Sequence, residues 1–250
     1  MEPTTAAVQA KAHPLAQWLF NKSNYLVQEI GGGPRLLRLD QAINGQKVCT
    51  VLFILGLMYW YDNFSLGAWV YLALHGTYGY TWLVKDLAFP NGAFSKRITI
   101  GALCVLYVGL NAAYWSLPWL FMSRHIAPSG ATLFAAIAIH TLGVSWMAAA
   151  DLQKNCIMRY SKGLITNGVF AYTRNPNYLG EVMIYCSYAL LAAHWLGWLV
   201  VTAQFFLLFL PRMLVKDASI SRHPGWLAYK QRSGLLLPWR ILNGRALFDR

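Results

Sequence analysis

Apolar residues run along this chain in long stretches broken by short polar segments, rather than in the alternation of half-buried strands. Between Lys47 and Lys85 the single Asp, Glu, Lys or Arg is Asp62. That interval is longer than the ~20 residues of one bilayer crossing. Asp62-Asn63 is therefore expected to be a turn between two helices, the first covering about Ile43 to Tyr61. Ile98 to Ser123 and Ile126 to Ala150 are free of the four charged types and predict a third and a fourth span, with Arg124-His125 as the turn between them. Val182 to Pro211 is too long for one ordinary span and predicts a hairpin folded back near Ala192 to Trp198.

Charge distribution decides for the hairpin. With it, and with a cytoplasmic N-terminus, every Lys and Arg except Arg124 falls on one side. A single over-long span would carry the C-terminal cations across and erase that asymmetry. The pattern thus predicts an all-α, polytopic membrane helical bundle of about six membrane segments, including a C-terminal helical hairpin. Both termini are expected to be cytoplasmic, in the endoplasmic reticulum or a bacterial inner membrane. Before the first span, "PLAQWLFNKSNYLVQEI" has near-helical apolar spacing and is expected to lie along the membrane surface, ahead of a "GGGP" break. Residues 1–46 are read as this peripheral segment. Residues 47–250 are read as the integral membrane catalytic domain, with a cofactor-binding region at 151–239.

Composition agrees with this reading: of 250 residues, 57% are hydrophobic and 12% charged, against roughly 25% charged in an average soluble domain. The formal net charge of +12 belongs to cytoplasmic loops under this topology, so no nucleic-acid partner is expected. Cys49, Cys104, Cys156 and Cys186 lie far apart without CxxC spacing, so neither a disulfide framework nor a metal site is expected.

The candidate chemistry gathers at "TRNPNYLGE", residues 173–181. Asn175 is a good N-cap and Pro176 suits the first helical position, so a helix is expected to start here with a free, anion-attracting N-terminus. Arg174 stands ready to add a bidentate contact to a phosphate or carboxylate. Asn177 and Glu181, four apart, share one helix face, and Gly180 between them admits close approach of a neighbouring helix or ligand. An acid at the start of a membrane helix is costly enough to make Glu181 a functional candidate. Asp151 is expected to close the fourth span, where a carboxylate needs a compensating Lys, Arg or hydroxyl. In the second span, His75 and Tyr78 are candidate catalytic groups, His75 pairing with Asp86 or a tyrosine to donate a proton. His140 and His194 read as structural. Trp226, Tyr229 and Trp239, interleaved with cations, offer stacking and charge pairing beside the membrane.

"GLITNGVFAYTRNPNYLGE" and "DASISRHPGWLAYKQRSGLLLP" resemble the membrane superfamily that joins isoprenylcysteine carboxyl methyltransferases, phospholipid methyltransferases, steroid 5-alpha-reductases and sterol reductases. The resemblance covers about Asp151 to Trp239. Methyltransferases of this group show Arg-His-Pro-x-Tyr-x-Gly and a later Glu-Glu pair that helps hold S-adenosylmethionine. Here Asn175 replaces the His, and Lys216-Asp217 stands where the acidic pair is expected. The reductase run Asn-[Phe/Tyr]-[Leu/Val]-Gly-[Glu/Asp] is matched by Asn177, Tyr178, Leu179, Gly180 and Glu181, with Asp151 upstream and Tyr229 downstream. "LHGTYGYTWLVKDLAFP" is similar to the steroid-reductase helix, although the catalytic Tyr of that helix falls on Ala73 and the Gln-Glu-x-Pro motif is absent.

The resemblance implies a steroid 5-alpha-reductase-like enzyme that holds NADPH through Asp151, Arg159, Arg174, Asn177, Tyr178, Glu181, Arg222 and Tyr229. It would reduce a double bond of a hydrophobic lipid or steroid-like substrate taken from the bilayer, with His75 or Tyr78 as proton donor. The alternatives are an S-adenosylmethionine-dependent methyltransferase and a non-catalytic membrane scaffold.

Overall fold

The computed structural model describes residues 10–238; Trp239 and the chain termini, whose side of the membrane is inferred above, lie outside the described residues. The described residues are mostly helical. Helix α1 spans Pro14–Gln28, α2 Leu39–Trp60 and α3 Leu66–Ala88. Helix α4 spans Ile100–Ser123, α5 Gly130–Tyr160, α6 Pro176–Ala192, α7 Trp195–Ile220 and α8 Trp226–Arg232. Among the described residues α2, α4, α5 and α7 are long and apolar enough to cross a membrane. Helices α3 and α6 complete the hairpins, α3 carrying polar aromatic residues and α6 being only 17 residues long.

The breaks in the apolar pattern become turns with identifiable causes. Asp62 adopts the left-handed conformation (φ 47°), and the Asn63 amide donates to the Met122 carbonyl, tying the α2–α3 turn to the end of α4. His125 (φ 46°) makes the next turn. Ala193 (φ 46°) reverses the chain between α6 and α7, where the sequence placed a hairpin, and His194 Nδ1 accepts from Leu196 N–H at 3.2 Å as the cap of α7. His194 is thus a helix cap.

The sequence pattern missed one element. Arg35–Arg38 (β1) and Arg97–Thr99 (β2) pair antiparallel, so the entries to α2 and α4 are held side by side. Strands of four and three residues carry no periodicity signal. Helix α1 forms where expected, and its inner face packs on the second half of α7, with Ala10 N–H donating to Ser221 Oγ at 2.8 Å. Leu15, Trp18, Tyr25 and Leu26 on α1 remain exposed. The first span starts earlier than its expected Ile43, because Leu39 and Asp40 already form the first turn of α2. The fourth runs from Gly130 to Tyr160, nearly three turns beyond Ala150, so Asp151 lies inside α5 and does not close it.

Helices α5 and α6 approach closest at Gly143 and Gly180. A Cβ on Gly143 would lie 2.7 Å from Gly180 O, and one on Gly180 would lie 2.5 Å from Gly143 O and 2.6 Å from Met147 N. These contacts are backbone and cannot yield without moving a helix, as small residues permit in membrane bundles. Gly143→Ala is therefore expected to lower stability by about 1–3 kcal/mol, read as a lower thermal midpoint in detergent. An unchanged midpoint would show that the two helices part freely.

Candidate active site

Pro176 starts α6, as its fixed φ favours, but Asn175 does not cap it. Its Nδ2 instead donates to Leu235 O (2.9 Å), and its Oδ1 accepts from Lys216 Nζ (3.0 Å), which also donates to Arg174 O. Arg174 is buried. Its Nε donates to Asp217 Oδ2 at 2.8 Å, and its Nη1 to the Ser233 carbonyl. Backbone bonds between Tyr172, Arg174 and Gly234 close the knot. The residues just ahead of the helix N-terminus that the sequence offered to an anion are tied to the chain's own segment 233–235, and the Arg174 guanidinium is committed to a carboxylate and a carbonyl. The local reason is the partner Asp217, 43 residues away in sequence and invisible to motif spacing.

Tyr229 joins the same knot. Its hydroxyl donates to Phe170 O at 2.8 Å, and burial pushes the phenol up to about 12, with Arg174 nearby acting in the opposite direction. Arg159 and Arg222 are exposed and form no ion pair among the described residues; Arg159 lies over the Phe89 ring at 5.7 Å. Lys154 and Lys162 are exposed as well. These cations rim the end of the bundle where α5 and α7 terminate.

Inside that rim the polar face of α6 descends through Asn177, Tyr178, Glu181, Tyr185 and Tyr188. The charges of Lys85, Asp151, Lys47 and Arg212, from α3, α5, α2 and α7, all act on Glu181 of α6. Asp151 pairs with Lys85 at 3.0 Å, each about one-fifth exposed, which supplies the compensating cation that the carboxylate needed. Tyr178 packs against Phe209, placed by a π turn at Phe205–Phe209 in α7.

The two catalytic candidates occupy different environments. Tyr78 OH lies 3.3 Å from Tyr185 OH and faces the Glu181 cluster, with Lys47 Nζ 4.3 Å from its ring centroid. His75 lies one turn deeper. It does not pair with Asp86, which accepts from Asn44 Nδ2 (2.8 Å); its Nδ1 is 3.0 Å from Tyr114 OH and its ring stacks on Tyr188 at 3.7 Å. His75 Nε2 and Tyr71 OH are buried without a partner. His140 is buried, its Nε2 3.4 Å from Tyr188 OH. Among the described residues no group of three His, Cys, Asp or Glu side chains is arranged to hold a metal ion.

Residues 97–230 match a family model described as "Protein of unknown function (DUF1295)", more than half of the 250-residue chain. The chain belongs to this family. The DUF1295 segment runs from β2 into α8, so it includes Arg174, Asn175, Lys216 and Asp217 of the knot, Asp151 and Glu181, but not the closing residues Ser233 to Leu235, nor Lys47, His75, Tyr78 or Lys85. An uncharacterized protein of Schizosaccharomyces pombe is 35% identical over 68 residues, 27% of this chain and 25% of that one, so the chain spans about a quarter of that relative. No solved structure matches.

Sequence reasoning missed Lys47. Lys47 falls within the expected first helix but is given no role there, and in this DUF1295 protein it lies two turns inside α2 and is buried. Its aromatic surroundings, Tyr78, Trp82 and Tyr114, come from two other helices. The available signal was Lys47 followed immediately by an apolar run, with no polar residue to place it outside the helix.

Proposed function

We propose that the chain is a membrane-embedded reductase that delivers hydride from NADPH to a polarised double bond of a hydrophobic lipid or steroid-like molecule. The observation that carries this reading is the charged cluster around Glu181, assembled from five helices at the end of an otherwise apolar bundle. An intramembrane ionisable group is expensive, and a carboxylate on which four other charged side chains act supports chemistry rather than topology.

The donor set suits a phosphorylated dinucleotide. Unpaired Lys154, Arg159, Lys162 and Arg222 at the rim would meet its phosphates, while Asn177 and Glu181 further in would take hydroxyl and carboxamide hydrogen bonds. The knot at Arg174, Lys216 and Asp217 positions the start of α6 instead of touching phosphate, and Tyr229 fastens the loop before it. When bound, NADPH supplies the hydride. The chain's own task is to hold the substrate's polar end and provide the balancing proton, and the Tyr78 hydroxyl, beside Tyr185 and facing Glu181, is the best-placed donor. His75, enclosed by Tyr71, Tyr114 and Tyr188, shapes the wall below it.

Purified full chain incubated with membrane lipid extract and NADPH deuterated at the transferable position is expected to yield a lipid carrying one cofactor-derived deuterium. Label transferred from methyl-labelled S-adenosylmethionine, with none from NADPH, would overturn the reading in favour of methyl transfer.

A further inference from the structure

The β1–β2 ribbon joins the entries to α2 and α4, both long and apolar enough to cross a membrane. All four residues of β1 are exposed, Leu36 by 55% and Leu37 by 42%. Two neighbouring exposed leucines on a strand with no second partner are a liability in water, and a lone two-stranded ribbon is marginal there. Nor can the ribbon sink into hydrocarbon, where its outer backbone groups would go without partners. The boundary between acyl chains and headgroups meets both demands. It is also the level at which α2 and α4 enter the bilayer in the membrane reading.

The cations of the ribbon are arranged for more than a general attraction to that boundary. Arg38 and Arg97 are direct partners across the ladder, so their side chains stand on one face. Ile98, the next residue of β2, is fully buried in a cluster with Leu39 and Ala102, so Arg97 and Arg38 occupy the opposite, outward face. Like charges placed directly opposite one another are destabilising. Arg38, its side chain half exposed, donates from Nε to Asp40 Oδ1 at 3.0 Å, and Arg35 is held by Glu29. Arg97 Nη1 donates only to the Leu36 carbonyl, at 3.4 Å. Among the described residues neither Arg97 nor the exposed Lys96 beside it pairs with a carboxylate. The carboxylates at the ribbon are thus spent on Arg35 and Arg38, and two cations are left over beside two exposed leucines.

We propose that the outward face of the β1–β2 ribbon is a binding site for an anionic glycerophospholipid of the surrounding leaflet. Its phosphate takes the free N–H donors of Arg97 and the remaining ones of Arg38, guanidinium forks that match phosphate oxygens in pairs. Leu36, the extra residue of the bulge between Arg35 and Leu37, meets the start of the acyl chains. An anion between Arg38 and Arg97 turns their repulsion into shared attraction and fastens the entries of α2 and α4 to one another. A zwitterionic headgroup brings an ammonium of its own to a ribbon already in excess of positive charge, so it fits less well. Free phosphate would satisfy the arginines but leave the leucines in water, which favours the lipid. The site is independent of the proposed reductase chemistry and requires no nicotinamide.

The test uses the full chain in phosphatidylcholine nanodiscs and two trace probes, phosphatidylglycerol and phosphatidylcholine bearing the same diazirine near the glycerol. Adducts are mapped by mass spectrometry. Phosphatidylglycerol is expected to label residues 33–38 and 95–99 roughly twenty-fold more than phosphatidylcholine, about fivefold for each unpaired cation. Arg97→Gln, which removes a cation without a carboxylate partner and should leave the thermal midpoint unchanged, is expected to cut that preference about fivefold. Arg124→Gln, at the far end of α4, is expected to leave the preference as it is, and Leu36→Ser to lower phosphatidylglycerol labelling. Equal labelling of the ribbon by the two probes in the wild-type chain, a preference that survives Arg97→Gln, or one lost equally in Arg124→Gln would each overturn the proposal. The first of these comparisons needs no variant to fold. A preference abolished by millimolar inorganic phosphate yet indifferent to Leu36→Ser would mark a soluble-anion site and would overturn it as well.

Discussion

Arg174→Ala is expected to destabilise the protein by about 3–5 kcal/mol, the cost of breaking one side of a buried ion pair. The Arg174 and Asp217 side chains are only 7% and 13% exposed, and Asp217 Oδ1 already lacks a partner, so removing the guanidinium leaves a carboxylate buried and uncompensated. The Ser233 carbonyl loses its donor at the same time. Arg174→Lys should recover little, since one ammonium cannot replace a planar fork that reaches both Asp217 and Ser233. The measurement is thermal unfolding in detergent followed by size exclusion, with a lower midpoint and a released C-terminal segment expected. A stable Arg174→Ala protein that has merely lost cofactor affinity would show that the residue contacts phosphate and that the knot is incidental.

Glu181→Ala carries the second large effect, and it falls on binding. The carboxylate lies under the influence of charges from four other helices and is expected to accept hydrogen bonds from the neutral groups of NADPH. A hydrogen bond to a charged group contributes about 1.5–3 kcal/mol, so its loss should weaken NADPH roughly ten- to a hundredfold. Unliganded stability should change little, because Glu181 has no hydrogen-bond partner or ion pair of its own among the described residues. Glu181→Gln, which keeps one acceptor oxygen, should fall between. A large drop in unliganded stability with unaltered NADPH affinity would make Glu181 a packing residue.

Much of the fold was legible in the order of apolar runs and breaks. Asp62-Asn63, Arg124-His125 and the Ala192–Trp198 bend are where the chain turns, since bilayer-length apolar runs leave few other places for polar backbone. The β1–β2 ribbon was hidden because short, arginine-rich strands have no period to read. Asp151 was misplaced because helix α5 outlasts its apolar run: an i, i+4 pattern continues into polar residues without any stop signal until Tyr160.

In the site, spacing correctly placed Asn177, Tyr178 and Glu181 on a helix begun by Pro176. It could not reveal that Arg174 and Asn175 are bound by Asp217, Lys216 and Leu235, since those partners come from α7 and the segment after α8. Lys47 was lost for the same reason. Its meaning lies in Tyr78, Trp82 and Tyr114, which only the packing of three helices brings together.

The most direct measurement is the thermal midpoint of the purified full chain in detergent with NADPH or with S-adenosylmethionine. A ligand at a hundred times its Kd stabilises the folded state by about 2.7 kcal/mol. A rise with NADPH that is absent with S-adenosylmethionine and lost in Glu181→Ala is the predicted result. A rise with S-adenosylmethionine alone, or with neither, would contradict the account.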